Sequence, residues 1–160
     1  LSLTDAHLVN YDTHLKVNPP LRTADDVQAL QDALKNGVID CFATHHLPQD
    51  WDAKQLEFEY AKNGMIGLES CFGVLRKHLS GISLDTLITL LSEQPRKVFG
   101  LSPANVQEGA AANLTIFDPE TTWEFTTAAI ASRSKNSAYL GTTLKGKVVA
   151  VINNSQVHYN

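Results

Sequence analysis

Cysteine, methionine and clustered basic residues are all scarce in this sequence, and each scarcity excludes something. Among 160 residues there are two cysteines and one methionine. Cys41 and Cys71 stand in apolar settings with no C-x-x-C pair, which excludes a disulfide-framed mini-domain and leaves reduced core thiols as the expectation. Lysine and arginine number 13 against 17 acidic residues, a formal charge of -4 without any basic run. Nucleic acid and anionic membrane surfaces are therefore not expected partners. No apolar run reaches the roughly 18 residues of a membrane helix, and the first residues have neither the basic start nor the apolar stretch of a signal peptide. A cytoplasmic location is the expectation. Repeats and low-complexity tracts are absent too. What is present is ordinary for a soluble globular protein, 43% hydrophobic and 19% charged residues, enough for a single core of respectable size.

The pattern along the chain alternates short apolar runs with helical stretches. A helical turn is expected near Thr4-Asp5-Ala6, followed by an extended segment ending at Pro19-Pro20, where the ring geometry forbids helix. Thr23-Ala24-Asp25-Asp26 has the form of a capping box, and Val27, Leu30 and Leu34 make one apolar stripe that Gly37 closes. Val38 to Thr44 is a mostly apolar run suited to a buried parallel strand. Trp51 to Lys62 fits either a mixed-surface helix or a loop with a helical turn. Apolar residues recur at helical spacing at Leu68, Phe72, Leu75 and Leu79, and again at Leu84, Leu87, Ile88 and Leu91, with Ser80-Gly81 between. After Pro103 the period changes to two over 113–118 and 147–152, and a hairpin is expected around Asn153-Asn154-Ser155. The last third thus reads as a small β module.

Three motifs stand out: Asn18-Pro19-Pro20-Leu21-Arg22, Thr44-His45-His46-Leu47-Pro48-Gln49, and Asn63-Gly64-Met65-Ile66-Gly67-Leu68-Glu69. Together with Phe99-Gly100-Leu101, the run Gly109 to Asp118 and the run Ser134 to Gly141, they resemble the C-terminal part of a bacterial dihydroorotase, a member of the amidohydrolase superfamily. The resemblance covers most of the chain. It implies an α/β protein: residues 1–102 as the C-terminal strands and helices of a (β/α)8 barrel, and residues 103–160 as part of a small β-sandwich. A complete barrel needs ~250 residues, so a piece of a longer protein is expected. The H-x-H pair, the carboxylated lysine and the later histidine ligands of the family would lie upstream of Leu1.

In dihydroorotases the second motif reads Thr-Asp-His-Ala-Pro-His, and its aspartate binds zinc and shuttles a proton. Here His45 stands at that position and Gln49 replaces the last histidine, which contacts substrate in the family. One carboxylate can ligate a metal through one oxygen and take a proton on the other, which a neutral imidazole cannot do. His45 is accordingly a candidate metal ligand, a candidate acid or base, or a histidine that fills a strand end. His46 should face the opposite way, because neighbours on a strand alternate. The resemblance implies substrate contacts at Asn18, Gln49, Asn63 and Gly64. The plain alternatives are a turn-capping asparagine before two prolines and an ordinary Asn-Gly turn. His7, His14, His78 and His158 follow no ligand spacing.

The resemblance implies the interconversion of dihydroorotate and N-carbamoyl-aspartate in pyrimidine biosynthesis, zinc in the complete enzyme with none held by this chain alone, and a dihydroorotate-like small molecule as substrate. The isolated chain is expected to be inactive, to need the rest of the barrel and to self-associate. The alternative is a non-catalytic homologue that scaffolds another pyrimidine enzyme such as aspartate transcarbamoylase.

Overall fold

The computed structural model describes residues 2–103 and 105–160. The chain divides into two compact units, each assembled from three stretches: Leu1–Val38, Ala43–Cys71 and Glu124–Thr142 in the first, and Ile39–Phe42, Phe72–Trp123 and Thr143–Asn160 in the second.

In the first unit, a 3-10 helix (Asp5–Asn10) fulfils the turn expected there, and α1 (Ala24–Lys35) follows the capping box. Thr23 Oγ1 accepts the Asp26 N–H at 3.2 Å, and the Asp26 carboxylate accepts from the Thr23 N–H at 3.3 Å. Two of the orphan donors at the helix start are thereby satisfied. Gly37, left-handed at φ +68°, ends the helix as expected. The apolar stripe is only partly covered: Leu34 is buried, whereas Leu30 keeps 42% of its surface exposed.

Two isolated parallel bridges, Thr4 with Arg22 and His46 with Met65, bring extended segments together. No strand forms over 38–44, contrary to expectation. The Phe42 N–H donates to Leu90 O at 3.2 Å, but among the described residues no ladder runs along this stretch. Nor is the run buried: Val38 keeps 71% of its surface exposed and none of residues 38–44 is buried, because a parallel strand is made and covered only by neighbours it pairs and packs with. Trp51 to Lys62 is a succession of turns, closed by the Lys62 N–H donating to Ala53 O at 3.0 Å.

In the second unit, α2 (Cys71–His78) lies against a three-stranded sheet of order β1-β2-β3, formed by β1 (Asn113–Glu124), β2 (Thr143–Asn153) and β3 (Gln156–Tyr159). β2 and β3 pair antiparallel, with Asn153 opposite Gln156, so the hairpin turns on Asn154-Ser155 with Asn154 left-handed at φ +55°. Close approach requires two glycines. A Cβ on Gly73 would lie 3.0 Å from Leu144 Cβ, and one on Gly146 would lie 2.7 Å from Phe72 Cε1. Phe72 packs on Phe117 at 4.7 Å between ring centroids, and Arg76 bonds Glu120 at 2.8 Å. Leu68, expected on a helix face, lies before α2 and is exposed.

The second expected helix begins at α3 (Leu84–Ile88), capped by Ser83. It continues through a π-helical turn (Thr89–Glu93) into α4 (Gln94–Val98). Pro95 falls just after the π-helical turn, the second residue of α4 within this continuous helical run.

Both cysteines are free thiols. Burial pushes the Cys71 thiol up to about 11, so at pH 8 only about one molecule in a thousand carries the reactive thiolate there. Iodoacetamide at pH 8 should leave Cys71 of the folded chain unmodified over an hour and label it within minutes in denaturant, with mass spectrometry of the peptide as the readout.

Candidate functional site

Three segments of the first unit converge, and backbone hydrogen bonds hold them side by side. The Leu47 N–H donates to Met65 O at 2.9 Å, and the Gly64 N–H donates to Lys16 O at 2.9 Å. The Gln49 Nε2 group reaches Asn63 O at 2.7 Å. The segments carrying Asn18, His45 to Gln49, and Asn63-Gly64 are thus neighbours. These are the motifs singled out in the sequence.

Asn18 precedes a cis peptide to Pro19 and is exposed. Asn63 is exposed, while Gly64 is buried at φ +134°, a backbone region open essentially to glycine alone. His45 is exposed and left-handed at φ +47°. Non-glycine residues take that conformation at some cost, though histidine, asparagine and aspartate are several-fold enriched there. His46 is bound differently: its Nδ1 accepts the Gly67 N–H at 3.1 Å and the Leu68 N–H at 3.3 Å. That nitrogen carries no proton, and the neutral ring is the Nε2–H tautomer. His46 therefore secures the turn after Met65; with His45 left-handed and no strand running through these two residues, the alternation expected of a strand does not apply to them.

The residue that binds these segments together went unnoticed in the sequence. Asn136, only 4% exposed, donates through Nδ2 to Gly64 O at 3.1 Å and to Leu47 O at 3.3 Å. Its Oδ1 accepts the Gln49 N–H at 3.2 Å, and its main-chain carbonyl accepts the Ile66 N–H at 2.9 Å. Ser134 Oγ lies against both Gln49 O and Asn136 Oδ1. A buried amide satisfied on both ends fixes its neighbours' spacing, because breaking any one bond strands a buried group. The only signal was that Asn136 fell within the Ser134 to Gly141 run. Nearby, Glu69 Oε1 accepts the Ser132 N–H at 2.9 Å.

A zinc site needs three or four nitrogen, sulfur or oxygen donors in one place. Among the described residues no group of three or more histidine, cysteine or acidic side chains comes together. The described residues do not by themselves fit a metal site, and His45 alone could supply at most one ligand. No helix is long and apolar enough to cross a membrane among the described residues.

Residues 3–151 match the amidohydrolase family model, and the chain belongs to that family. Among curated proteins it is similar to the dihydroorotase of Caldicellulosiruptor saccharolyticus, 44% identical over 98% of this chain and 37% of that protein. A second similar protein is the dihydroorotase of Geobacter metallireducens, 42% identical over 99% of this chain and 38% of that protein. The L-hydantoinase (dihydropyrimidinase) of Arthrobacter aurescens superposes with a TM-score of 0.86 at 26% identity, over 97% of this chain and 36% of that one. The chain thus spans little more than a third of the length of the relatives it matches. Its fold is that of a part of an amidohydrolase (β/α)8 barrel with a small sheet, as the motifs implied. Amidohydrolases are typically metal-dependent.

Proposed function

We propose that the polypeptide carrying this chain interconverts dihydroorotate and N-carbamoyl-aspartate in pyrimidine biosynthesis, and that this chain supplies the substrate-binding edge of the site. The observation that carries this reading is the hydrogen-bonded convergence of the three motif segments, with Gln49 on Asn63 O and Gly64 on Lys16 O. In this reading Asn18 bonds the carboxylate-bearing edge of the substrate, the Asn63-Gly64 backbone meets the ring amide, and Gln49 fixes the loop opposite. His45 would hold or move the proton that passes to the departing amide nitrogen. The family's zinc would need ligands beyond this chain's own. The division into a barrel part at 1–102 and a sandwich part at 103–160, a cytoplasmic location and self-association belong to the same proposal.

Curated relatives carry the enzyme's name, which supports catalysis over the scaffold for aspartate transcarbamoylase. The test is dihydroorotate hydrolysis by the complete polypeptide with added zinc, followed as N-carbamoyl-aspartate released. Turnover well above the uncatalysed rate is expected. Absence of turnover in both the unaltered protein and His45→Asp would overturn the reading in favour of the scaffold.

A further inference from the structure

Lys54 is a charged residue that is 3% exposed, and lysines are almost never this buried unless paired. Among the described residues the ion pairs present do not include it. Its ammonium instead donates to two main-chain carbonyls, Lys62 O at 2.8 Å and Lys16 O at 3.4 Å. Both carbonyls have telling places in the chain. Lys62 immediately precedes Asn63, and Lys16 stands two residues before Asn18. Lys16 O is also the acceptor of the Gly64 N–H. The main chain of Lys54 is anchored in turn, since its N–H donates to Trp51 O at 3.0 Å and its carbonyl accepts from Thr13 Oγ1 at 2.6 Å.

We propose that Lys54 is a positioning residue, whose buried ammonium cross-links the segment leading into Asn18 to the segment leading into Asn63 and Gly64 and sets the spacing of these two substrate-side groups. The proposal rests on the reading of that edge as the substrate site. An ammonium is an expensive way to fill a buried space, because removing it from water costs several kcal/mol, and an apolar side chain of similar length would pack more cheaply. What an apolar chain cannot do is bind two carbonyls from separate segments at once. Burial holds this ammonium below the usual lysine range, while the carboxylate of Asp12 acts in the opposite sense.

The experiment compares the complete polypeptide with its Lys54→Met and Lys54→Arg variants by amide hydrogen exchange and by steady-state kinetics on dihydroorotate. Methionine preserves the stem and removes the donors; arginine keeps the charge but displaces them. In Lys54→Met the Gly64 and Lys62 amides should exchange about 10-fold faster, while the amides of α1 keep their rates. KM should rise about 10-fold with kcat within about threefold, the signature of lost ground-state binding. Lys54→Arg should move both readouts in the same direction by less, and it decides the question if the methionine variant does not fold. Unchanged exchange at Gly64 would overturn the proposal, and so would faster exchange with KM unmoved, which would make Lys54 merely structural. If the unaltered protein shows no turnover, the functional reading fails on that arm, and the exchange rates alone decide whether Lys54 joins the two segments.

Discussion

Gly64→Ala should lower the free energy of unfolding by about 2–6 kcal/mol, the sum of a backbone and a packing penalty. At φ +134° an alanine is forced into a region that only glycine occupies freely, which costs of order 1–3 kcal/mol. The added Cβ would also lie 2.7 Å from Leu47 O and 2.9 Å from Leu47 Cγ. The first of these is a main-chain atom that cannot swing aside, because Leu47 is tied to Met65 and to Asn136. Overpacking of this kind adds about 1–3 kcal/mol. Gly37→Ala is the matched control: it too is left-handed, but nothing lies within 4 Å of its Cβ position, so it should cost only about 1–2 kcal/mol. Urea midpoints of the two variants measure the difference. Equal midpoints would mean that the close approach of residues 47 and 64 contributes nothing to stability.

His45→Asp should raise kcat for dihydroorotate about 100-fold in the complete polypeptide, the lower end of what a well-placed acid or base contributes. The replacement suits the backbone, since aspartate is enriched in the left-handed region that His45 occupies. The side chain is exposed, so no core is disturbed and the stability change should stay near zero. A carboxylate at this place can accept a proton on one oxygen while the other is engaged, whereas an imidazole bound through one nitrogen offers a protonated donor on the other. A gain below threefold, measured at saturating substrate, would show that proton transfer does not pass through position 45.

Capping and periodicity made α1, the body of α2 and the three strands legible, because those signals are local: Thr23 with Asp26, Gly37, and the two-residue alternation of 113–118 each act within a few residues. The missing strand at 38–44 was illegible for the opposite reason. Its apolar residues suggested a buried strand, but both the burial and the ladder depend on neighbours that no local pattern names, and here the run has neither. The motif residues Asn18, Gln49, Asn63 and Gly64 were found because their types and order resemble a known site, and the segments that carry them lie side by side. Asn136 and Lys54 were missed. A single buried asparagine 87 residues away from Gln49, or a lysine within a mixed polar stretch, carries no periodicity, and its role appears only when its hydrogen-bond partners are seen.

The Asn136 hub also makes the order of the chain matter. Residues 99–103 and 105–111 are exposed throughout, so this is the stretch a protease would reach first. A cut there breaks no bond of the hub, yet it leaves Leu47, Gln49 and Gly64 on one peptide and Asn136 on the other. The two pieces would then be obligate partners, and the edge of the site would exist only while they remain bound, its integrity changed from a property of one chain to one that falls with dilution.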